Sequence, residues 1–242
     1  MRSGEVWSEI ASWYDALLEA GSGPHETALA ALLALVPEKL RGSVVDVGCG
    51  QGLATRALAE RGADRVVGID ASEGMLRIAR ERTAVDLPIS YHLDDAEHLH
   101  TCEDASLDGA TCQLALMDIA DLPAVLRSIR RVLKPGGWFA AVIGHPCFLA
   151  PHAETRLTTD GLEGQLIARY FEEEFWRSRN PEGIRGKAGN YHRPLSTYLN
   201  ALIQADLQLE EVLEPRASAL LSEQQSVYRN VPIFLAFRAC AI

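Results

Sequence analysis

The feature that most constrains this chain is an alternation of short apolar runs with amphipathic stretches between residues 43 and 143. The apolar runs are VVDVG, RVVGID, ISYHLDD, LDGATCQL and GWFAAVI, and helical stretches follow the first, second and fourth. Strands joined by crossover helices build parallel sheets, and strands this apolar are covered on both faces. The sequence therefore predicts an α/β fold with a doubly wound, mostly parallel sheet.

The flanking segments complete the predicted architecture. Apolar positions spaced three and four apart from Trp7 to Leu18 predict a helix, and a second helix follows Pro24. After the alternation, a helix in STYLNALIQA and strands in LQLEEVLEP and VPIFLAFRA bring the sheet to seven strands, with an antiparallel pair at its edge. The chain is expected to be one domain, 1–242, divided into a helical cap (1–40), a core (43–143), a lid insertion (144–194) and a C-terminal core (195–242).

Composition narrows the classes of partner. The chain has 23 Lys and Arg against 33 Asp and Glu, a net charge of −10, and so acidic a surface repels a nucleic-acid backbone. The longest apolar run, Ala28 to Val36, is too short to span a membrane, and the first residues lack a signal-peptide core. Five cysteines without a C-x-x-C pair suit a reducing compartment. We expect a cytoplasmic enzyme with neither a nucleic acid nor a membrane as its partner.

A glycine-rich loop, DVGCGQG at residues 46–52, ends the first strand and opens the first core helix. Glycines there allow a tight turn and let a ligand lie against bare backbone near a helix N-terminus. The dinucleotide-binding fingerprint requires a third glycine where this chain has Leu53. The pattern D-x-G-x-G-x-G, with its acid two residues before the first glycine, indicates a different ligand.

The loop resembles the first motif of class I S-adenosylmethionine-dependent methyltransferases, of the small-molecule, type 11-like kind. GIDASEGML, DDAEHL and RVLKPGGWF match further motifs of that family in order and spacing over residues 43–143. The resemblance implies a Rossmann-like fold, S-adenosylmethionine as cofactor and S-adenosylhomocysteine as product. It also implies a cofactor site formed by Tyr14, Asp46, Gly48, Cys49, Gly50, Gly52, Asp70, Ala71, Met75, Asp95, Ala96 and Gln113.

Three carboxylates suit the groups of this cofactor. Asp46 complements its positive charges, Asp70 can accept both ribose hydroxyls, and Asp95 can accept from the adenine amino group. For each acid, a solvated turn or a helix cap is the alternative. Tyr14 resembles the aromatic residue with which similar enzymes close over the cofactor, and plain packing is its alternative.

The acceptor is expected beyond the carboxyl ends of the fourth and fifth strands, near Gln113, Asp118, His145 and the lid. His145 directly follows the fifth strand, and His192 lies where the lid returns to the core. Either imidazole could take a proton at neutral pH, so both are catalytic candidates, with a structural histidine as the alternative.

Two other patterns are set aside. Pro146-Cys147 is similar to the nucleophile of pyrimidine carbon methylation, but its position and the acidic chain argue against that role. His98, His100 and Cys102 lack a distant fourth ligand, so we expect no metal.

The expected function is methyl transfer to oxygen, nitrogen or carbon of a small metabolite, as in secondary-metabolite biosynthesis. Methylation of protein or RNA and a non-catalytic cofactor-binding protein are the alternatives, and a homodimer is left open.

Overall fold

The computed structural model describes residues 3–242, with side chains described from Gly4 onward. The α-helices of this range are α1 (Ser3–Glu19), α2 (Gly23–Leu35), α3 (Leu53–Glu60), α4 (Glu73–Arg82), α5 (Leu122–Val132), α6 (Ile184–Lys187), α7 (Leu195–Gln204) and α8 (Ala219–Gln224). Two short 3-10 helices lie at Leu116–Asp118 and Ser226–Arg229. The strands are β1 (Ser43–Val47), β2 (Arg65–Asp70), β3 (Ile89–Leu93), β4 (Leu107–Gln113), β5 (Leu133–Gly144), β6 (Glu154–Leu157), β7 (Glu163–Leu166), β8 (Glu174–Trp176), β9 (Asn190–His192), β10 (Leu207–Leu213) and β11 (Phe234–Ala241).

Seven of these strands form one sheet in the order β10-β11-β5-β4-β1-β2-β3. Strands β1 to β5 pair in parallel, and β11 pairs antiparallel with both β5 and β10. The order reverses between β1 and β4, so the carboxyl ends of these two strands flank a crevice where open α/β sheets bind ligands. The predicted Rossmann-like sheet is confirmed, and its antiparallel strand lies between β5 and the edge strand β10.

Alternate residues of the central strands face opposite layers, as the two-residue period of a strand requires. Val45 and Val67 pack into a core with α5 and α7, while Val44 and Val66 pack into a second core with α2 and α3. Both faces are thus sealed by helices, which explains why the strand sequences are apolar throughout.

The segment between β5 and α7 contains structure that the sequence did not indicate. Strands β6 and β7 form one antiparallel hairpin, and β8 pairs with β9 in a second. Helix α8 and the 3-10 helix after it were also not predicted, since six and four residues are too short for a periodic pattern. We call residues 145–194 the insertion. Among residues 3–242, no helix combines the length and apolarity that crossing a membrane requires.

Candidate active site

The loop between β1 and α3 exposes bare main chain. Gly48, Gly50 and Gly52 all have left-handed backbone conformations. A Cβ atom at Gly48 would lie 2.4 Å from the Cβ of Ala115, whereas one at Gly50 would meet no atom within 4 Å. Gly50 therefore borders open space where a ligand can approach the backbone. Cys49 is buried inside the loop, and burial raises the pKa of its thiol, so it fills space and is not a poised nucleophile.

Asp46 is a buried carboxylate under the glycine loop. It is 1% exposed, and its two oxygens accept hydrogen bonds from the hydroxyls of Thr55 (2.7 Å) and Thr111 (2.8 Å). Burial raises the pKa of Asp46 to about 6, although both threonine bonds act to lower it. The site thus holds an anion that is costly without a positive partner.

Asp70 ends β2 beside the same loop. Its Oδ2 accepts from the N–H of Gly50 and its Oδ1 from the N–H of Ser72, both at 2.8 Å. Burial raises the pKa of Asp70, and these two backbone bonds oppose the rise. Each carboxylate oxygen has a second lone pair, so the fixed side chain can still accept from two hydroxyls of a ligand.

A cavity of about 50 Å³ lies over the loop, between Asp46 and Gly50 on one side and Tyr14 on the other. Gln113, at the end of β4, also borders it, and its Oε1 is buried without a hydrogen-bond partner among the described residues. An unpaired buried acceptor is costly, so Gln113 is a candidate to receive a donor from a bound ligand.

Helix α1 packs across the beginning of α4 and narrows this cavity. A Cβ at Gly4 would lie 2.2 Å from the carbonyl oxygen of Ala71, and the hydroxyls of Ser8 and Ser72 are 2.9 Å apart. Met75 is 2% exposed in the interface between the two helices. The structure therefore places Met75 under α1, whereas Ala71 is exposed beside the beginning of that helix.

The Asp95 segment lies apart from the cavity over the glycine loop and from the second, larger cavity described below. The side chain of Asp95 is 59% exposed, its Oδ1 accepts from the N–H of Glu97, and Ala96 is buried in the core. Asp95 does follow β3, the strand next to Asp70. Its contact with a ligand stays a prediction, as does that of Ala96.

A larger cavity of about 540 Å³ opens beyond the ends of β4 and β5. Its wall combines apolar residues of the core with aromatic residues of the insertion and of its flanks, including Met117, Phe234, Trp176, Tyr191, Tyr198 and Tyr228. Asp118 and Arg185 form an ion pair in this wall. Burial raises the pKa of Asp118 to about 6, against the lowering effect of the Arg185 charge.

The two cavities meet at three residues that border both, Tyr14, His25 and Leu114. We call these residues the junction. The hydroxyl of Tyr14 is 2.7 Å from Nε2 of His25, and Nδ1 of His25 is 2.7 Å from Oγ of Ser22. A group bound over the glycine loop and one bound in the larger cavity would therefore face each other at the junction.

The two candidate histidines differ in their surroundings. His145 is 2% exposed, its Nδ1 accepts from the N–H of Cys147 (3.2 Å), and its Nε2 is 2.8 Å from Oε1 of Glu214. Both ring nitrogens are engaged, which favours the structural alternative for His145. His192 borders the larger cavity, and its Nε2 donates to the carbonyl oxygen of Tyr170 at 2.8 Å. In the neutral ring that bond leaves Nδ1 as the acceptor nitrogen. Both catalytic roles stay predictions.

Sequence reasoning missed His25 and Leu114. His25 stands in the first turn of α2, where the apolar pattern gives no hint that the turn faces α1. Within residues 3–242, no three His, Cys, Asp or Glu side chains are grouped as metal ligands would be.

The residues around the loop fit an adenosyl sulfonium ligand. The buried carboxylate of Asp46 and the partly exposed carboxylate of Asp70 complement a cation and a diol, Gly50 offers bare backbone, and Gln113 has an acceptor without a partner among the described residues. This fit rests on atoms contributed by β1, β2 and β4, the strands at which the sheet order reverses.

Known proteins that are similar to this chain support this interpretation of the site. A family model described as a methyltransferase domain matches residues 45–141. The solved structure of an S-adenosylmethionine dependent methyltransferase from Mesorhizobium loti is 30% identical, with a TM-score of 0.76. It covers 91% of this chain and 99% of that chain.

Curated relatives match shorter segments. A ubiquinone biosynthesis O-methyltransferase from Bordetella avium is 38% identical over 96 residues, 39% of either chain. A demethylmenaquinone methyltransferase from Symbiobacterium thermophilum is 37% identical over 142 residues, 56% of either chain. A 37.1 kDa protein of a Streptomyces fradiae transposon is 37% identical over 142 residues, 52% of this chain and 41% of its own length. The chain thus spans about half or less of these three relatives. Together with the near-complete match to the Mesorhizobium loti enzyme, the site shows that this chain belongs to the class I S-adenosylmethionine-dependent methyltransferases, with S-adenosylmethionine as its cofactor.

Proposed function

We propose that the enzyme transfers the methyl group to oxygen, nitrogen or carbon of a small molecule held in the larger cavity. One observation carries this proposal: a cavity of about 540 Å³ adjoins the glycine-loop cavity at Tyr14, His25 and Leu114. Its volume falls within the range of about 300 to 1,000 Å³ that is usual for small-molecule sites. Methyl transfer needs the donor carbon and the nucleophile in line and in contact, and the junction offers such a path.

The wall of the larger cavity favours a ring-containing acceptor with a few polar groups. Aromatic side chains such as Trp176 and Tyr228 provide flat apolar surface, and the Asp118–Arg185 pair provides fixed charges. Two relatives are named for ubiquinone and menaquinone methylation, which agrees with an acceptor of this shape.

Each group of the site has a proposed role. S-adenosylmethionine supplies the methyl group when bound. Asp70 accepts from the ribose hydroxyls, Asp46 complements the positive charge, and Gln113 accepts from a donor of the cofactor. His192 takes the proton of an acceptor that carries one, through its Nδ1. Positioning alone suffices where the nucleophile bears no proton.

Helix α1 acts as a cap that moves when the cofactor enters. The glycine-loop cavity of about 50 Å³ is smaller than a nucleoside, and α1 is what narrows it. Arg82 of α4 holds α1 through ion pairs with Asp15 (2.6 Å) and Glu19 (2.5 Å). These pairs are partly exposed and worth about 1 kcal/mol or less each, so they add little to the cost of opening.

The test is transfer of a labelled methyl group in extract separated into small-molecule, protein and RNA fractions. We expect label in the small-molecule fraction, in keeping with a cytoplasmic enzyme of metabolism. Label confined to protein or RNA would reject the proposal while leaving the family assignment intact.

A further inference from the structure

Tyr14 stands between the two parts of the site. Its side chain is partly buried at the junction, where burial raises the pKa of the phenol; the negative charges of Asp118 and Asp70 raise it further, and Arg185 opposes them. Asp118 and Arg185 belong to the wall of the larger cavity, and Asp70, at the end of β2, accepts a hydrogen bond from Gly50 of the glycine loop. Charges in the wall of the larger cavity and a charge beside the glycine loop therefore both affect the pKa of the Tyr14 phenol.

A chain of three hydrogen-bonding groups runs away from this position. The Tyr14 hydroxyl lies 2.7 Å from Nε2 of His25, whose Nδ1 lies 2.7 Å from Oγ of Ser22. His25 is 6% exposed, so its ring is held on both sides. Ser22 is the residue before α2, yet its hydroxyl makes no capping bond to a backbone N–H of that helix. The hydroxyl of a usual helix cap is instead used to hold the imidazole.

The three hydrogen-bonded groups of Tyr14, His25 and Ser22 stay neutral at physiological pH. Burial lowers the pKa of His25 to about 4, and the Arg185 charge lowers it as well, so the ring has one N–H. Two directions of hydrogen-bond donation along Tyr14, His25 and Ser22 are then consistent with the two distances. In one, Tyr14 donates to Nε2 and Nδ1 donates to Ser22, which turns the lone pairs of the Tyr14 oxygen toward the junction. In the other, Ser22 donates to Nδ1 and Nε2 donates to Tyr14, which turns the Tyr14 proton toward the junction.

A positively charged ligand selects the first direction, because the oxygen then presents negative partial charge to the cation. In a buried site such a charge–dipole contact is stronger than in water. The opposite wall of the junction is Leu114, a leucine with a left-handed backbone (φ 57°) whose N–H donates to the carbonyl oxygen of Val142 at 2.8 Å. A bulky residue rarely takes this conformation, and such strain is concentrated at functional sites.

We propose that His25 is a positioning residue for methyl transfer: with Ser22, it holds the Tyr14 hydroxyl oxygen toward the junction, where this oxygen stabilises the sulfonium charge of the donor. The inference rests on the proposed function, which assigns the small cavity to the cofactor and the larger one to the acceptor. His25 acts through Tyr14 and supplies no proton or nucleophile.

Two substitutions of His25 separate its two hydrogen bonds. His25→Gln places an amide near the position of Nε2 and keeps a partner for Tyr14. His25→Asn places its amide near Nδ1 and keeps a partner for Ser22 only. Tyr14→Phe removes the oxygen itself, and Ser22→Ala removes the outer anchor while leaving the buried ring in place.

The measurement is calorimetric affinity for S-adenosylmethionine and for S-adenosylhomocysteine, whose thioether sulfur carries no charge, on proteins whose folding is verified by circular dichroism. We expect Tyr14→Phe and His25→Asn to weaken binding of the sulfonium compound about tenfold, because one charge–dipole contact with the sulfonium is lost. The thioether should change less than about twofold, and His25→Gln should stay near wild type for both. If His25→Asn does not fold, Ser22→Ala replaces it, with the same selective loss expected.

Equal losses of affinity for both compounds would overturn the inference, because the Tyr14–His25–Ser22 hydrogen bonds would then only pack α1 against α2. Unchanged affinities in all the variants would overturn it as well. Both outcomes leave the proposed function standing as long as wild type binds both compounds and labels small molecules. Failure of wild type to bind either compound would instead remove the cofactor assignment itself.

Discussion

Replacing Asp46 by Asn tests the electrostatic reading of the glycine-loop site most sharply. The side chain is 1% exposed, and both of its oxygens accept threonine hydroxyls. An asparagine has nearly the same shape, and one threonine hydroxyl can rotate to accept from its amide, so both bonds can be kept. The substitution therefore removes the charge and little else.

The expected change in the free energy of unfolding follows from the pKa of Asp46. Burial raises the pKa of Asp46 from 3.8 to about 6, and about two units correspond to about 3 kcal/mol. Because the folded pKa lies above the unfolded one, the folded state binds the proton more tightly between pH 4 and 6. Stability is therefore lost as pH rises through this window, and the full cost is present above pH 6. Asp46→Asn should stabilise the ligand-free protein by up to about 3 kcal/mol at pH 7.5 and by much less at pH 4.5.

The assay is urea unfolding of both proteins at pH 4.5 and 7.5. Comparison with wild type cancels the titration of Asp118 and Asp70, whose pKa values burial also raises. Asp108→Asn is the matched control, for which we expect a stability change of opposite sign. Partial burial acts to raise the pKa of Asp108, but the bonds from Lys134 and Ser43 lower it overall. That variant should lose stability at the higher pH. A stability difference between Asp46→Asn and wild type that is the same at both pH values would refute the reasoning.

Four further predictions concern single substitutions. Asp70→Ala should weaken S-adenosylhomocysteine binding by about 1 to 3 kcal/mol in calorimetry, because two ribose hydroxyls lose their acceptor. His192→Gln should lower turnover of a proton-bearing acceptor about 10²-fold in steady-state kinetics. His145→Gln should leave turnover near wild type and lower the unfolding free energy by about 1 kcal/mol or more, since its bonds to Cys147 and Glu214 are disturbed. Gly50→Ala should cost about 1 to 2 kcal/mol in urea unfolding, since φ is 54° there.

Controls keep these outcomes distinct. Asp86→Ala, at an exposed carboxylate, should leave cofactor affinity unchanged, and an equal loss there would remove the specific role of Asp70. Gly50→Asn should cost less than Gly50→Ala, because asparagine tolerates the left-handed backbone. Normal turnover in His192→Gln would rule out His192 as the base, and a large loss in His145→Gln with full stability would return that role to His145.

The sheet could be predicted because its signal is local. Each central strand is a continuous apolar run followed by a turn, and the loop at residues 46–52 carries its glycines in sequence. Asp46 and Asp70 were found through the family resemblance of the motifs that contain them, which lie at the ends of predicted strands. The structure adds their partners, Thr55, Thr111 and the N–H of Gly50, which only the register of the fold brings together.

The junction could not be predicted, because it depends on contacts between elements. Tyr14 meets His25 across the turn at Gly21, and the two histidine candidates looked alike until long-range partners were visible. His145 bonds to Glu214, 69 residues away, whereas His192 turns one face toward the larger cavity. The left-handed backbone of Leu114 likewise has no sequence signature.

A crystal structure with S-adenosylhomocysteine bound tests the central claim most directly, since it locates the sulfur atom relative to the two cavities. The account predicts a sulfur atom bordered by Tyr14, His25 and Leu114 and facing the larger cavity, with the ribose on Asp70. A sulfur atom pointing toward the exposed edge near β3, with protein separating it from the larger cavity, would contradict it.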